Sequence, residues 1–142
     1  MYTIGYEDLR IDEFLNKLRE YKIDTVVDVR LIPSSRRPGF SKGPLTAALE
    51  AADIAYTHER DLGNPSDNRE AFRKGPLEVG RTRMRKQLQI GAGETLRRLV
   101  VRGMTERVAV LCVEIDDAKC HRQVIVEMAR EIEPSLSVTS IW

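Results

Sequence analysis

Residues 108–113 read V-A-V-L-C-V, six apolar side chains in a row. The run is too short for a buried helix and suits a strand covered on both faces. Such a strand needs helices above and below it, so this stretch predicts a parallel sheet in an α/β domain. The flanking sequence alternates accordingly. Tyr2–Gly5 and Thr25–Val29 are short strand-like runs, the second apolar on both faces apart from Asp28. Between them Ile11, Phe14, Leu15 and Leu18 recur at helical spacing. Leu45–Ala52 reads as an Ala-rich helix and Ile54–His58 as a third strand. Residues 69–103 read as helical, with a break at Gly91-Ala92-Gly93. Val124, Ile125, Met128 and Ile132 mark a last helix before a closing strand, Leu136–Ile141.

Five strands separated by helices predict one α/β domain over residues 1–142, with a mainly parallel central sheet flanked by helices. Right-handed crossovers favour a Rossmann-like strand order, 3-2-1-4-5, with the switch point between the first and fourth strands. Ligands of such sheets bind beyond the carboxyl ends of the strands. Here those ends are Gly5-Tyr6, Asp28-Val29-Arg30, His58-Glu59 and Cys112-Val113-Glu114.

Composition narrows the class. With 42% apolar and 32% charged residues, the chain is neither disordered nor membrane-embedded. Its longest apolar run is six residues against the about 20 that a membrane span needs. No signal-peptide pattern opens it, so a cytoplasmic location without membrane contact is expected. Two cysteines are too few for a disulfide framework. The net charge of +1 hides a segregation: residues 30–43 carry +4 and residues 71–110 carry +7, while the intervening segments are acidic. If the two basic segments meet, they form an anion-attracting face; if not, they are separate solvated surfaces.

Several clusters have chemical potential. Asp28 ends a buried strand, where a carboxylate needs a partner or a substrate. Arg30, Arg36 and Arg37 follow it and offer planar forks to phosphate or carboxylate. C-V-E at 112–114 is followed by C-H-R at 120–122 and then a helix. Cys120 therefore stands near a helix N-terminus beside His121 and Arg122, a setting that favours a thiolate. Nucleophile, helix cap and redox partner of Cys112 are equally open for it. Neither cysteine has the C-x5-R spacing of phosphatase and rhodanese loops, since Ala118 and Val126 occupy the Arg positions. Glu59 and Glu114 are further carboxylates for acid–base work. Cys112, Cys120, His121, Glu114 and His58 could be written as metal ligands, but the spacing matches no finger or ribbon and adjacent Cys-His side chains tend to diverge. No metal and no cofactor are therefore expected. The run Arg81, Arg83, Arg85, Lys86, Arg97, Arg98, Arg102 lacks the aromatics that stack single strands, leaving phosphate contact or a solvated face.

Taken together, T-I-G-Y at 3–6, V-D-V-R at 27–30, P-S-S-R-R-P-G-F at 33–40, D-L-G at 61–63, L-C-V-E at 111–114 and C-H-R at 120–122 resemble the family catalogued as domain of unknown function 488, small prokaryotic α/β proteins. The resemblance spans essentially the whole chain. It implies that the six blocks converge, with Asp28, Arg30, Arg36, Arg37, Glu114, Cys120, His121 and Arg122 as matching polar positions. It implies no reaction. Two positions depart from it: Tyr6 stands where family members often carry His, and Asp116-Asp117-Ala118-Lys119 where many carry Pro.

The expectation is an enzyme acting on a phosphate-bearing or otherwise anionic substrate, with a nucleotide or nucleic acid as partner in view. Arg30, Arg36, Arg37, Arg122 and Tyr6 would bind it; Cys120, Glu114, Asp28 and His121 would carry the chemistry. A non-catalytic nucleotide or nucleic-acid module is the alternative, and a redox protein cycling Cys112 and Cys120 is a third. The sequence says nothing of oligomeric state.

Overall fold

The computed structural model describes residues 1–142. Its five strands are β1 (Tyr2–Gly5), β2 (Thr25–Asp28), β3 (Ala55–His58), β4 (Val108–Cys112) and β5 (Thr139–Ile141). They form one sheet in which every neighbouring pair is parallel. The helices are α1 (Ile11–Glu20), α2 (Lys42–Ala51), α3 (Ser66–Lys74), α4 (Leu77–Gly91), α5 (Gly93–Thr105) and α6 (Arg122–Ile132). Gly75-Pro76 divides the predicted long helical segment a second time, because proline cannot continue a helix without losing a hydrogen bond. No helix is long and apolar enough to cross a membrane.

The strand order is 3-2-4-1-5, not 3-2-1-4-5. The first and fourth strands exchange places relative to expectation. The central position demands burial on both faces along the whole strand. β4 meets that demand at all five residues, whereas β1 begins with the half-buried Tyr2. The chain leaving β1 therefore passes over the place that β4 later fills.

Period-two alternation sends the β4 side chains into two cores. Ala109 and Leu111 pack with Phe14 and Leu18 of α1 and Leu45 and Leu49 of α2. Val108, Val110 and Cys112 pack on the other face with residues of α3, α4, α5 and α6, among them Phe72, Met84, Leu99 and Ile125. The helices that follow β1 and β2 thus cover one face, and the helix that follows β4 covers the other. A switch point lies on each side of β4, one against β1 as expected and a second against β2. The same alternation puts the Cys112 side chain on the face where α6 begins.

Candidate functional site

The loop leaving β4 is fastened to the sheet edge before it reaches α6. Gly5 has no side chain because a Cβ there would lie 1.9 Å from the carbonyl oxygen of Glu114. The backbone N–H groups of Tyr6 and Glu7 both donate to the Val113 carbonyl, at 3.0 and 2.9 Å. The Glu7 carboxylate accepts the Ile115 N–H at 2.9 Å. Asp116 caps a short 3-10 turn, Asp117–Lys119, by accepting the Ala118 N–H at 3.0 Å. Asp117 accepts hydroxyl hydrogen bonds from Thr3 of β1, at 2.6 Å, and from Ser140 of β5. Arg122, fully buried, donates to the Glu114 carbonyl and lies 2.9 Å from Asp117. The turn delivers Cys120 and His121 to the start of α6, directly over Cys112.

The expectation that adjacent Cys and His side chains diverge does not hold. Cys120 is extended (φ −123°, ψ 146°) and His121 is helical (φ −64°, ψ −15°), and both side chains turn inward. The Sγ atoms of Cys112 and Cys120 each lie 3.8 Å from His121 Nδ1. The other ring nitrogen, Nε2, is 3.0 Å from the Val29 carbonyl and so carries the proton that it donates there. The two thiols are not bonded to each other.

Their ionisation is split. The hydrogen bond with Cys120 and burial push the Cys112 thiol well up. Burial would raise Cys120 too, but the Cys112 hydrogen bond, His121 and Arg122 outweigh it and hold that thiol well below its ordinary value. Burial works against charge on His121, yet the Cys120 thiolate and the Val29 carbonyl raise its pKa. Burial, with Cys120 next, lifts the Glu114 carboxyl above the usual carboxylate range. Glu114 Oε2 is buried without a hydrogen-bond partner, as are Nε and Nη1 of Arg122.

Of the two roles open to Asp28, a partner or a substrate, the geometry shows the first: it holds Arg30. Arg30 forks onto Asp28 through Nε (2.9 Å) and Nη2 (2.7 Å), and its Nη1 donates to Tyr6 Oη (3.0 Å) and the Phe40 carbonyl (2.7 Å). Tyr56 Oη donates to Asp28 at 2.7 Å, and the Arg30 N–H does so at 3.1 Å. Asp28 is 0% and Arg30 3% exposed, and Tyr6 stacks flat on Phe40 at 4.3 Å. Desolvation opposes the Arg30 charge, but Asp28 more than restores it. Burial and Asp28 keep the Tyr56 phenol protonated by raising its pKa. Asp28 is thus saturated and orients Arg30, and Tyr6 completes the clamp.

Between the β2 and β4 loops lies a cavity of about 110 Å³. Arg30, Cys112, Glu114 and His121 line its floor, and Arg69, Arg73 and Lys119 its rim. The rim residues make no ion pair; Arg69 reaches only the Asn64 carbonyl, at 3.4 Å. Sequence reasoning missed all three. The usable signal was two arginines four apart on one face of α3, and a lysine directly ahead of C-H-R. Cys120 and Arg122 are buried and do not line the cavity; Cys120 meets it through His121.

Other expected residues sit elsewhere. Arg36 and Arg37 line a separate groove against Leu9–Asp12, where Arg37 Nε donates to the Leu9 carbonyl at 2.8 Å. Glu59 faces Arg98 at 3.8 Å, away from the cavity. His58 Nε2 is bonded to the Arg30 carbonyl at 2.7 Å. The basic run of α4 and α5 spends most of its charge locally: Arg81, Arg83, Arg85, Arg98 and Arg102 each pair with a carboxylate.

Fold and site together define a parallel α/β protein with a small cationic cavity at the carboxyl edge of its sheet, floored by a thiol, an imidazole, a carboxyl and a guanidinium. The model of the family described as domain of unknown function DUF488 matches residues 10–129. The chain belongs to that family, and every floor and rim residue falls inside the match. No curated protein and no solved structure matches the chain.

Proposed function

We propose that the chain is an enzyme acting on a small phosphate-bearing or similarly anionic substrate at the cavity between the β2 and β4 loops. The observation that carries this reading is the pairing of an unsatisfied rim with an unsatisfied floor. Arg69, Arg73 and Lys119 ring the opening without a carboxylate partner, over a buried Glu114 oxygen that has no hydrogen bond. A binding module needs only the rim. A buried carboxyl left without a partner costs stability, and its place beside two thiols and an imidazole supports chemistry there. The cavity admits a phosphoryl- or carboxylate-sized group, with the rest of a nucleotide lying over α3. The local pairing of the α4 and α5 arginines favours a small anion over a nucleic-acid strand.

Thermal unfolding in the presence of inorganic phosphate, AMP and a sugar phosphate tests the rim. At least one should raise Tm, less at high salt, and Arg69→Ala with Arg73→Ala should abolish the shift. If no anion shifts wild-type Tm, the reading fails. Turnover of a phosphate-ester panel by Cys112→Ser and Glu114→Gln tests the floor. Loss of turnover with retained anion binding supports the enzyme. Unchanged turnover takes Cys112 and Glu114 out of the chemistry, and anion binding with no turnover of any ester favours the binding module.

A further inference from the structure

The convergence of Cys112, Cys120 and His121 points beyond a thiol pair. We infer that Cys112 Sγ, Cys120 Sγ and His121 Nδ1 bind a zinc-class divalent ion, with one coordination position left open to the cavity. All three atoms lie within 4.8 Å of one another, and each sulfur is 3.8 Å from Nδ1. Bonds of about 2.3 Å to sulfur and about 2.0 Å to nitrogen put tetrahedral edges at about 3.5–3.8 Å. The two sulfur–nitrogen edges, at 3.8 Å, stand close to the about 3.5 Å that an ion would impose, and the sulfurs, within 4.8 Å, need only close toward about 3.8 Å.

Three further features fit. The Val29 carbonyl holds Nε2–H of His121, which fixes the tautomer and aims the Nδ1 lone pair at the sulfurs, as outer hydrogen bonds do for metal-bound imidazoles. Without an ion, both sulfurs lie against the same ring nitrogen; an ion would satisfy all three atoms at once. The Arg122 N–H also donates to Cys120 Sγ at 3.5 Å, a bond that suits a thiolate ligand. Two thiolates and an imidazole select zinc-like ions over magnesium or calcium.

The donor set is incomplete in a directed way. Structural zinc sites close with four protein ligands, whereas catalytic ones keep three and an open position. Cys112 and His121 both line the cavity, so the fourth position faces it. Glu114 lies outside the three-ligand cluster but lines the same cavity with its free oxygen. It is placed to accept a hydrogen bond from a water or substrate group on that fourth position. The inference needs no anionic substrate and stands or falls apart from the rim.

The test uses untagged protein, stripped with a chelator under reducing conditions and titrated with cobalt(II). The expected result is one equivalent bound, with a sulfur-to-cobalt charge-transfer band and the intense visible bands of a tetrahedral ion, both erased by added zinc. Cys112→Ser and Cys120→Ser should each remove about half of the charge-transfer intensity, and His121→Ala should weaken binding by at least about 100-fold. Arg69→Ala and Arg73→Ala should leave the spectrum unchanged even if they abolish anion binding. Wild-type cobalt binding without the charge-transfer band, or no stoichiometric binding, overturns the inference whether or not the cysteine variants fold. So does loss of both thiols to a mild oxidant at the same rate with and without zinc, which would mark Cys112 and Cys120 as a redox pair.

Discussion

Two loops leave the carboxyl edge of the sheet side by side, and they treat buried charge in opposite ways. The loop after β2 closes every bond: Asp28 accepts from the Arg30 side chain and N–H and from Tyr56, while Arg30 also reaches Tyr6 and Phe40. The loop after β4 leaves the buried Oε2 of the half-buried Glu114 and two nitrogens of the fully buried Arg122 without partners. Burial is therefore not the mark of function here; saturation is. The β2 loop spends its polar atoms on one another, whereas under the proposed function the β4 loop holds its own in reserve for a group that enters the cavity.

Substitution can break this contrast. The largest effect should come from Asp28→Ala, which strands Arg30 as an uncompensated buried charge and should cost about 3–5 kcal/mol in urea unfolding. A loss below about 1 kcal/mol would mean that the clamp is not structural. Gly5→Ala comes next. Its methyl group must displace the Glu114 carbonyl, and the cost should be about 3 kcal/mol, together with altered cobalt spectra because the β4 loop moves. Wild-type spectra in a folded Gly5→Ala protein would show that the loop is not held by that approach. Tyr56→Phe removes one hydrogen bond to a charged acceptor that keeps its other donors, so about 1–2 kcal/mol is expected from the same unfolding curves. The smallest change sharpens the contrast most. Glu114→Gln should leave stability within about 0.5 kcal/mol of wild type or raise it, since it removes no bond and relieves a buried carboxyl. A loss as large as that of Tyr56→Phe would show that Glu114 has a structural partner after all.

Much of this was legible in the sequence, for identifiable reasons. Strand positions follow from short apolar runs bounded by polar residues, and β4 announced itself as the most apolar. Strand order was not legible, because β1 and β4 both read as central strands and only the half-buried Tyr2 separates them. Cys112, Glu114 and Arg30 could be placed at the carboxyl edge because strand ends are countable, and His121 entered through C-H-R ahead of the last helix. Arg36 and Arg37 could not be excluded, because the direction of the β2 loop depends on where Phe40 docks against Tyr6 and Phe14. The meeting of Cys120 with His121 depends on a backbone change from extended to helical between adjacent residues, which residue type does not encode. The rim on α3 was hidden because residues 69–103 read as helical with a break only at Gly91-Ala92-Gly93, so nothing marked Arg69 and Arg73 as lying on a separate short helix beside the β2 and β4 loops.

The seat of Asp117 between Thr3 and Ser140 ties the β4 loop to the first and fifth strands at once. Those two strands lie at opposite ends of the sequence. During synthesis, every cysteine, histidine and carboxylate of the site is made before the hydroxyl that helps to hold their loop in place. A nascent chain that has not yet released residues 139–141 carries the full chemistry of the site but lacks half of that anchor. The site therefore matures only once β5 has joined the sheet.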